Sequence, residues 1–298
     1  MSWLQRFHAR GVFWRQFLRW AVFNVPVPLE SVILAFWSAL FLFWRTGRRG
    51  VMVNLSAVLP GSWRVTNFFR AYRVFWNFAC TINDNARFKD LRTIPDWEFI
   101  GSFDALQDHP GGAIILTAHM GSYDLGAHLF AEIAGRQLVM VRAPESDPQT
   151  RKFEETNRGQ LGEGVKVDFS TRASDLALDL LHAIDRGELV AIQGDRVTPG
   201  IATLPAMMFG IKTDFPAGPF ALAMAARVPI FPLFIVRRGH RRYQLVTASP
   251  IHVVRRSRNR DADLTIAVEE WVQQLEAVIR DSWHQWFAFE PFSTELKP

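Results

Sequence analysis

Between residues 93 and 282 the chain alternates short apolar runs with amphipathic stretches, and glycine, proline or small polar residues stand at the joins. A short apolar run bounded by turn residues reads as a strand covered on both faces. A longer stretch with apolar residues at helical spacing reads as a helix packed against it. Strands are expected at 97–100, 113–117, 138–142, 165–169, 189–193, 229–236 and 243–248. Helices are expected at 103–108, with Ser102 as its cap, at 122–134 ended by Gly135, and at 147–162. Further helices are expected at 173–186 ended by Gly187, at 219–226 and at 263–282. A loop holding Pro199, Gly200 and Pro205 leads to Met207-Met208-Phe209-Gly210. Strands alternating with helices make βαβ units, so the fold class is α/β, a mostly parallel sheet flanked by helices.

The first 92 residues lack that alternation. Residues 51–92 read as largely helical, with Phe68, Phe69, Tyr72, Phe75 and Trp76 at helical spacing and Arg70 and Arg73 between them. The main apolar run covers 31–44 and is closed by Arg45, Arg48 and Arg49. It is shorter than the ~20 residues needed to cross a bilayer. Extending it back to Trp20 takes in Pro26, Pro28 and Glu30. A segment lying on the membrane is therefore expected ahead of a clean span, with a buried core helix as the competing reading. The start of the chain is polar and basic and carries no cleavable signal pattern. The chain thus divides into a basic, aromatic, membrane-associating helical segment, 1–50, and a second domain, 51–298, that holds the alternating strands and helices.

Charge and composition narrow the partners. The net charge of +5 suits anionic ones: lipid headgroups, an acidic carrier protein or nucleic acid. The 25 Phe and 11 Trp, beside arginines, suit either a lipid–water interface or a large aromatic core. The single Cys80 excludes an internal disulfide and a cysteine metal cluster, and its apolar surroundings mark a structural thiol.

The chemistry concentrates at 110–126, where the 113–117 strand runs into Thr117-Ala118-His119-Met120-Gly121-Ser122-Tyr123-Asp124. Ligands of open α/β sheets bind at the carboxyl ends of the strands. His119 and Asp124 are five apart, which on a helix separates side chains by about 140°. A pair therefore requires His119 to lie in a turn, with Gly121 permitting the bend. In that geometry a carboxylate holds one imidazole nitrogen while the other takes a proton from a hydroxyl. With 8 His and 29 acidic residues, about 0.8 such spacings arise by chance. From spacing alone, a catalytic pair and a core histidine bonded to backbone stand level.

The 117–124 block resembles the first block of the lysophospholipid acyltransferase superfamily, and within it the bacterial lipid A biosynthesis lauroyl/myristoyl acyltransferases. Further segments resemble that branch in order: Met52-Val53-Asn54-Leu55, Val141-Arg142-Ala143-Pro144, Gly194-Asp195-Arg196, Met208-Phe209-Gly210 with Phe215-Pro216-Ala217-Gly218, and Val228-Pro229-Ile230-Phe231-Pro232. The resemblance spans roughly 50–290 and implies a glycerolipid acyltransferase-like fold. It implies His119 as general base and Asp124 as its partner. It also implies a fatty acyl donor carried as a thioester on acyl carrier protein or coenzyme A, with no bound cofactor, and a lipid or glycolipid hydroxyl as acceptor at the cytoplasmic face of the bacterial inner membrane. Substrate contacts then fall to Asp195 and Arg196, to Arg142 and Arg158, and to Phe209 and Gly210 at an acyl-chain groove. Main-chain N–H groups at 120–122 are expected to receive the oxyanion. The second block is Gly-Asp-Arg where many lipid A enzymes carry Asp-Gln, and the tail 283–292 is aromatic without the usual basic residues. The acceptor thus stays open between lipid A and related lipids.

Other signals are weaker. Gly121-Ser122 does not fit a nucleophile elbow, and Gly162-Glu163-Gly164 lacks the third glycine of a dinucleotide site. The histidines are too scattered for a metal site. The competing function is a non-enzymatic basic protein binding membrane or nucleic acid through the runs Arg237, Arg238, Arg241, Arg242 and Arg255, Arg256, Arg258, Arg260.

Overall fold

The computed structural model describes residues 12–101, 103–127, 135–142, 165–169 and 173–296. Four helices come first: α1 (Val12–Asn24), α2 (Val27–Phe41), α3 (Arg45–Val58) and α4 (Arg64–Leu91). Then follow β1 (Asp96–Ile100), α5 (Asp104–Gln107), β2 (Ala113–Thr117), β3 (Leu138–Arg142), β4 (Val165–Phe169), α6 (Ala173–Asp185) and β5 (Leu189–Gln193). The chain continues through β6 (Thr203–Met208), β7 (Ile211–Pro216), α7 (Gly218–Ala226), β8 (Ile230–Gly239), β9 (Arg242–Thr247) and α8 (Arg260–Ser282), and a 3-10 turn at Trp283–Gln285 follows. The helix expected at 147–162 and the second half of the one at 122–134 lie outside the described residues, as does Ser102; residues 123–127 are helical.

Seven strands form one sheet in the order β1-β9-β8-β2-β5-β3-β4. Every neighbouring pair is parallel except the β8–β9 hairpin. The central strands read as apolar runs because both faces are covered. Along β2, Ile114 and Leu116 point into one core with Trp271, Phe220 and Phe234. Ala113 and Ile115 point into the other, with Phe103, Tyr243 and Leu245. On the first face α8 lies against the sheet, and Trp271 stacks on Phe234 with centroids 5.5 Å apart and planes 6° apart. The helix starts at Arg260, three residues before the expected position, because the Asn259 side chain accepts the Ala262 N–H at 3.3 Å.

The stretch expected as a loop before Phe209 is instead an antiparallel hairpin, β6 with β7, packed on α8. Pro205 argues against a strand, yet in a two-stranded ribbon each strand has a free edge, and an absent N–H costs nothing there. Phe209 and Gly210 form the two-residue turn with φ of 51° and 76°. Such a turn needs positive φ at both positions, an unusual demand on a phenylalanine.

The N-terminal helices pack on α4, and α3 runs across residue 50 without a break. Among the described residues no single helix is long and apolar enough to cross a membrane; α2 and α3 meet that test only as a pair bent by 90°. Helix α2 turns Glu30 and Ser38 inward. Glu30 is buried against Arg87 and, at 3.2 Å, Arg241. Its outer stripe is Leu29, Val32, Ile33, Phe36 and Leu40.

Replacing Trp271 by alanine removes the largest fully buried side chain and is expected to destabilise the protein by about 3–5 kcal/mol, measured by denaturant unfolding.

Candidate active site

Strands β2 and β5 are parallel neighbours, with Thr117 opposite Gln193. Two residues further along each strand, His119 and Asp195 therefore emerge side by side at the carboxyl end of the sheet. The Gly194 N–H donates to the Thr117 carbonyl at 2.8 Å, extending the pairing to the edge of the site. The chain then turns sharply. Gly121 has φ of +52°, and a Cβ there would sit 1.7 Å from the Ile235 carbonyl oxygen. Both the left-handed backbone and the contact with β8 demand glycine. A helix begins at Tyr123, and Tyr123 and Ser122 anchor it by bonds to the Ala191 carbonyl and to Asn85 of α4.

His119 Nδ1 lies 2.7 Å from Asp195 Oδ1, which also accepts the His119 backbone N–H at 3.1 Å. Asp195 Oδ2 accepts the indole N–H of Trp286 at 3.0 Å and faces Arg196 Nε at 4.0 Å. The Asp195 side chain is fully buried, whereas that of His119 is 35 % exposed. Burial alone pushes the carboxyl pKa up. The His119 ring and its hydrogen bond, then the Arg196 charge and the Trp286 N–H, outweigh that and hold it well below the ordinary value. Asp195 is therefore ionised at neutral pH. A carboxylate on Nδ1 selects the tautomer with the proton on Nδ1 and the lone pair on Nε2. That arrangement can accept a proton from a hydroxyl brought to the exposed side of the ring.

The carboxylate on Nδ1 is thus Asp195, 76 residues away in sequence, in place of the Asp124 nominated by spacing. The reason is the helix phase: Asp124 is already in the helix, where one carboxylate oxygen lies 3.7 Å from Lys89 Nζ. Arg196 does follow β5, and its guanidinium bonds the Phe287 carbonyl. Arg142 ends β3; Arg158 lies outside the described residues. Phe209 and Gly210 make the hairpin turn, with the Phe209 N–H donating to Glu276 and its ring under the Arg280 guanidinium at 5.0 Å. Two of the expected oxyanion donors are already engaged, Met120 N–H with the Ala118 carbonyl at 2.7 Å and Gly121 N–H with the Gln285 carbonyl at 3.1 Å.

The first basic run is largely paired, whereas the second, 255–260, is exposed. Arg237 pairs with Asp84, Arg238 with Asp281, Arg241 with Glu30 and Arg255 with Asp263. The 255–260 loop also lies at the wrong end of the sheet. Ile251 bridges Ile230 at the start of β8, and the 23 residues of α8 then span about 34 Å before the chain reaches the site. The contribution of residues 285–287 was not expected from sequence. Their only signal was the aromatic density of the tail.

A family model described as bacterial lipid A biosynthesis acyltransferase matches residues 4–292. A comparison with curated proteins gave no match.

Two outcomes follow from the geometry. Gly121→Ala is expected to cost about 2–5 kcal/mol in denaturant unfolding, from the left-handed backbone and the overpacked contact together. Because the Asp195 pKa is depressed in the folded state, its ionisation stabilises the fold fully above the ordinary value of 3.8 and is lost as pH falls through lower values. The stability gap between wild type and Asp195→Asn should therefore narrow below about pH 4 in unfolding curves recorded from pH 7 to pH 3.

Proposed function

The chain belongs to the bacterial lipid A biosynthesis acyltransferase family, and we propose that it transfers a fatty acyl chain from a thioester on acyl carrier protein or coenzyme A to a hydroxyl of a membrane lipid or glycolipid, lipid A-type or related. The observation that carries this reading is the His119–Asp195 pair, buried on its acid side and open on its imidazole side, at the carboxyl edge of the sheet. His119 Nε2 takes the proton of the acceptor hydroxyl as its oxygen attacks the thioester carbonyl carbon. The tetrahedral intermediate collapses with cleavage of the C–S bond. The thiolate leaves and receives the proton from the imidazolium, so the products are an ester and a free thiol. Asp195 holds the tautomer and stabilises the imidazolium as it forms. Asp124, the one acid of the 117–124 block, remains a proposed contributor to catalysis, and Arg196, at the rim, has the fork that suits a phosphate on acceptor or pantetheine arm. Arg142, Arg158, Phe209 and Gly210 complete the proposed substrate contacts.

We place the reaction at the cytoplasmic face of the inner membrane, with residues 1–50 as the membrane-associating segment and 51–298 as the catalytic domain. The outward stripe of α2 supports this. Trp20 and Phe23 of α1, and Phe43, Trp63, Val65 and Phe69, are also more than half exposed. An outward apolar face of that extent marks a contact with something apolar, and Arg45, Arg48 and Arg49 beside it suit anionic headgroups.

Two tests apply. Purified protein given lauroyl-acyl carrier protein or lauroyl-coenzyme A with total membrane lipid should form an acylated lipid detectable by mass spectrometry. His119→Ala and Asp195→Asn should each slow this by about 10²–10⁴-fold, and Asp124→Asn by less. No transfer from either thioester, together with salt-steep nucleic-acid binding, would favour a binding protein instead. Val32→Glu with Phe36→Glu should weaken sedimentation with anionic vesicles while leaving the fold intact by circular dichroism.

A further inference from the structure

Residues 285–287 lie across the catalytic turn. Met120 and Trp286 form an antiparallel bridge, the Gly121 N–H donates to the Gln285 carbonyl, and the Phe287 N–H donates to the His119 carbonyl at 2.9 Å. Arg196 closes the other side through the Phe287 carbonyl. Between these backbone bonds the indole of Trp286 turns inward, 4 % exposed, and reaches Asp195 Oδ2. Its far side rests on Phe292, with centroids 5.6 Å apart, and Phe292 in turn meets Phe209 of the hairpin turn at 6.1 Å.

We propose that Trp286 is a positioning residue for acyl transfer: its indole N–H fixes the rotation of the Asp195 carboxylate, so that Oδ1 stays on His119 Nδ1 and Nε2 stays the base. This rests on the reading of His119 as general base. Oδ1 receives both the ring and the backbone N–H of His119, which only one carboxylate rotation allows. A bond on Oδ2 locks that rotation, and Arg196 Nε at 4.0 Å is beyond hydrogen-bond length. The chemistry of the donor matters as well. A hydroxyl or a water can reverse and donate or accept. An indole N–H only donates, so it always favours the ionised acid. It acts on the reaction through Asp195 and has no need to touch substrate.

The test is Trp286→Phe, which keeps a ring in the same place and removes the donor. In protein labelled with ¹⁵N-histidine, the Nδ1–H signal of His119, assigned by its loss in His119→Gln, should broaden or vanish in Trp286→Phe. The kcat for lauroyl transfer from lauroyl-acyl carrier protein to total membrane lipid should fall about ten- to a hundredfold. KM for the thioester should stay within about twofold. A ring with only a packing role would lower the thermal midpoint and leave the Nδ1–H signal in place; that result overturns the proposal. If wild type transfers nothing, the functional reading fails, while the spectra still decide the positioning role. If Trp286→Phe does not fold, the Trp286 indole N–H signal is compared between wild type and Asp195→Asn. An upfield shift on neutralising the acceptor supports the bond, and an unmoved signal overturns it.

Discussion

A carboxylate with no exposed surface has to be satisfied by the protein around it, and the carboxyl end of this sheet is arranged to meet that demand at Asp195. An unpaired buried charge costs several kcal/mol. Here the donors come from separate stretches of the chain: ring and backbone of His119 after β2, and the indole of Trp286 near the end. None of the three can shift without leaving the charge exposed to an apolar interior. The tight bend at Gly121 follows directly after His119 and carries the chain under the β8 carbonyl of Ile235. The dyad is thus less a feature of one motif than a joint between two strands and the tail.

This explains what could and could not be read from sequence. The central strands of the main sheet were legible because both faces are covered, which leaves unbroken apolar runs such as 113–116. The bend at Gly121 was expected only as the condition for a His119–Asp124 pair; it is present, but it accompanies a His119–Asp195 pair and a close approach to the Ile235 carbonyl. The acid partner was not legible, because linear spacing can nominate only local partners such as Asp124. Asp195 comes within reach through the adjacency of β2 and β5, and strand order is not written in any short segment. The Gly-Asp-Arg block drew attention to the right residue, but with a substrate-facing role. The β6–β7 hairpin stayed hidden for a different reason: Pro205 and a phenylalanine in a left-handed turn are both poor signals for the structure they occupy. The bond pattern of the tail had no local signature at all.

The N-terminal helices show the reverse of the usual partition. In α2 the acidic residue is inside and the apolar stripe outside, and the buried acid is made tolerable by two arginines from α4 and the β8–β9 turn. Asp84 of α4 pairs with Arg237 and accepts the Tyr243 hydroxyl at 2.7 Å. The Arg237 backbone exchanges two bonds of 2.6 Å with the Gln285 side chain, and Gln285 in turn accepts from Gly121. This second polar cluster ties α4 and β8 to the turn that follows His119.

The crossing of residues 285–287 over the site has a further consequence for how the protein comes into being. His119 is synthesised long before Trp286. At ribosomal speeds of about 5–20 residues per second the intervening stretch takes roughly 10–30 s. During that interval strands β2 and β5 can pair, but the buried acid lacks its indole donor and the turn lacks its backbone partners. A nascent chain therefore carries His119 without the contacts that hold it, and the His119–Asp195 pair is completed only once residues 285–287 have emerged and folded back. A chain interrupted before Trp286 therefore lacks the indole donor and the backbone partners of the turn.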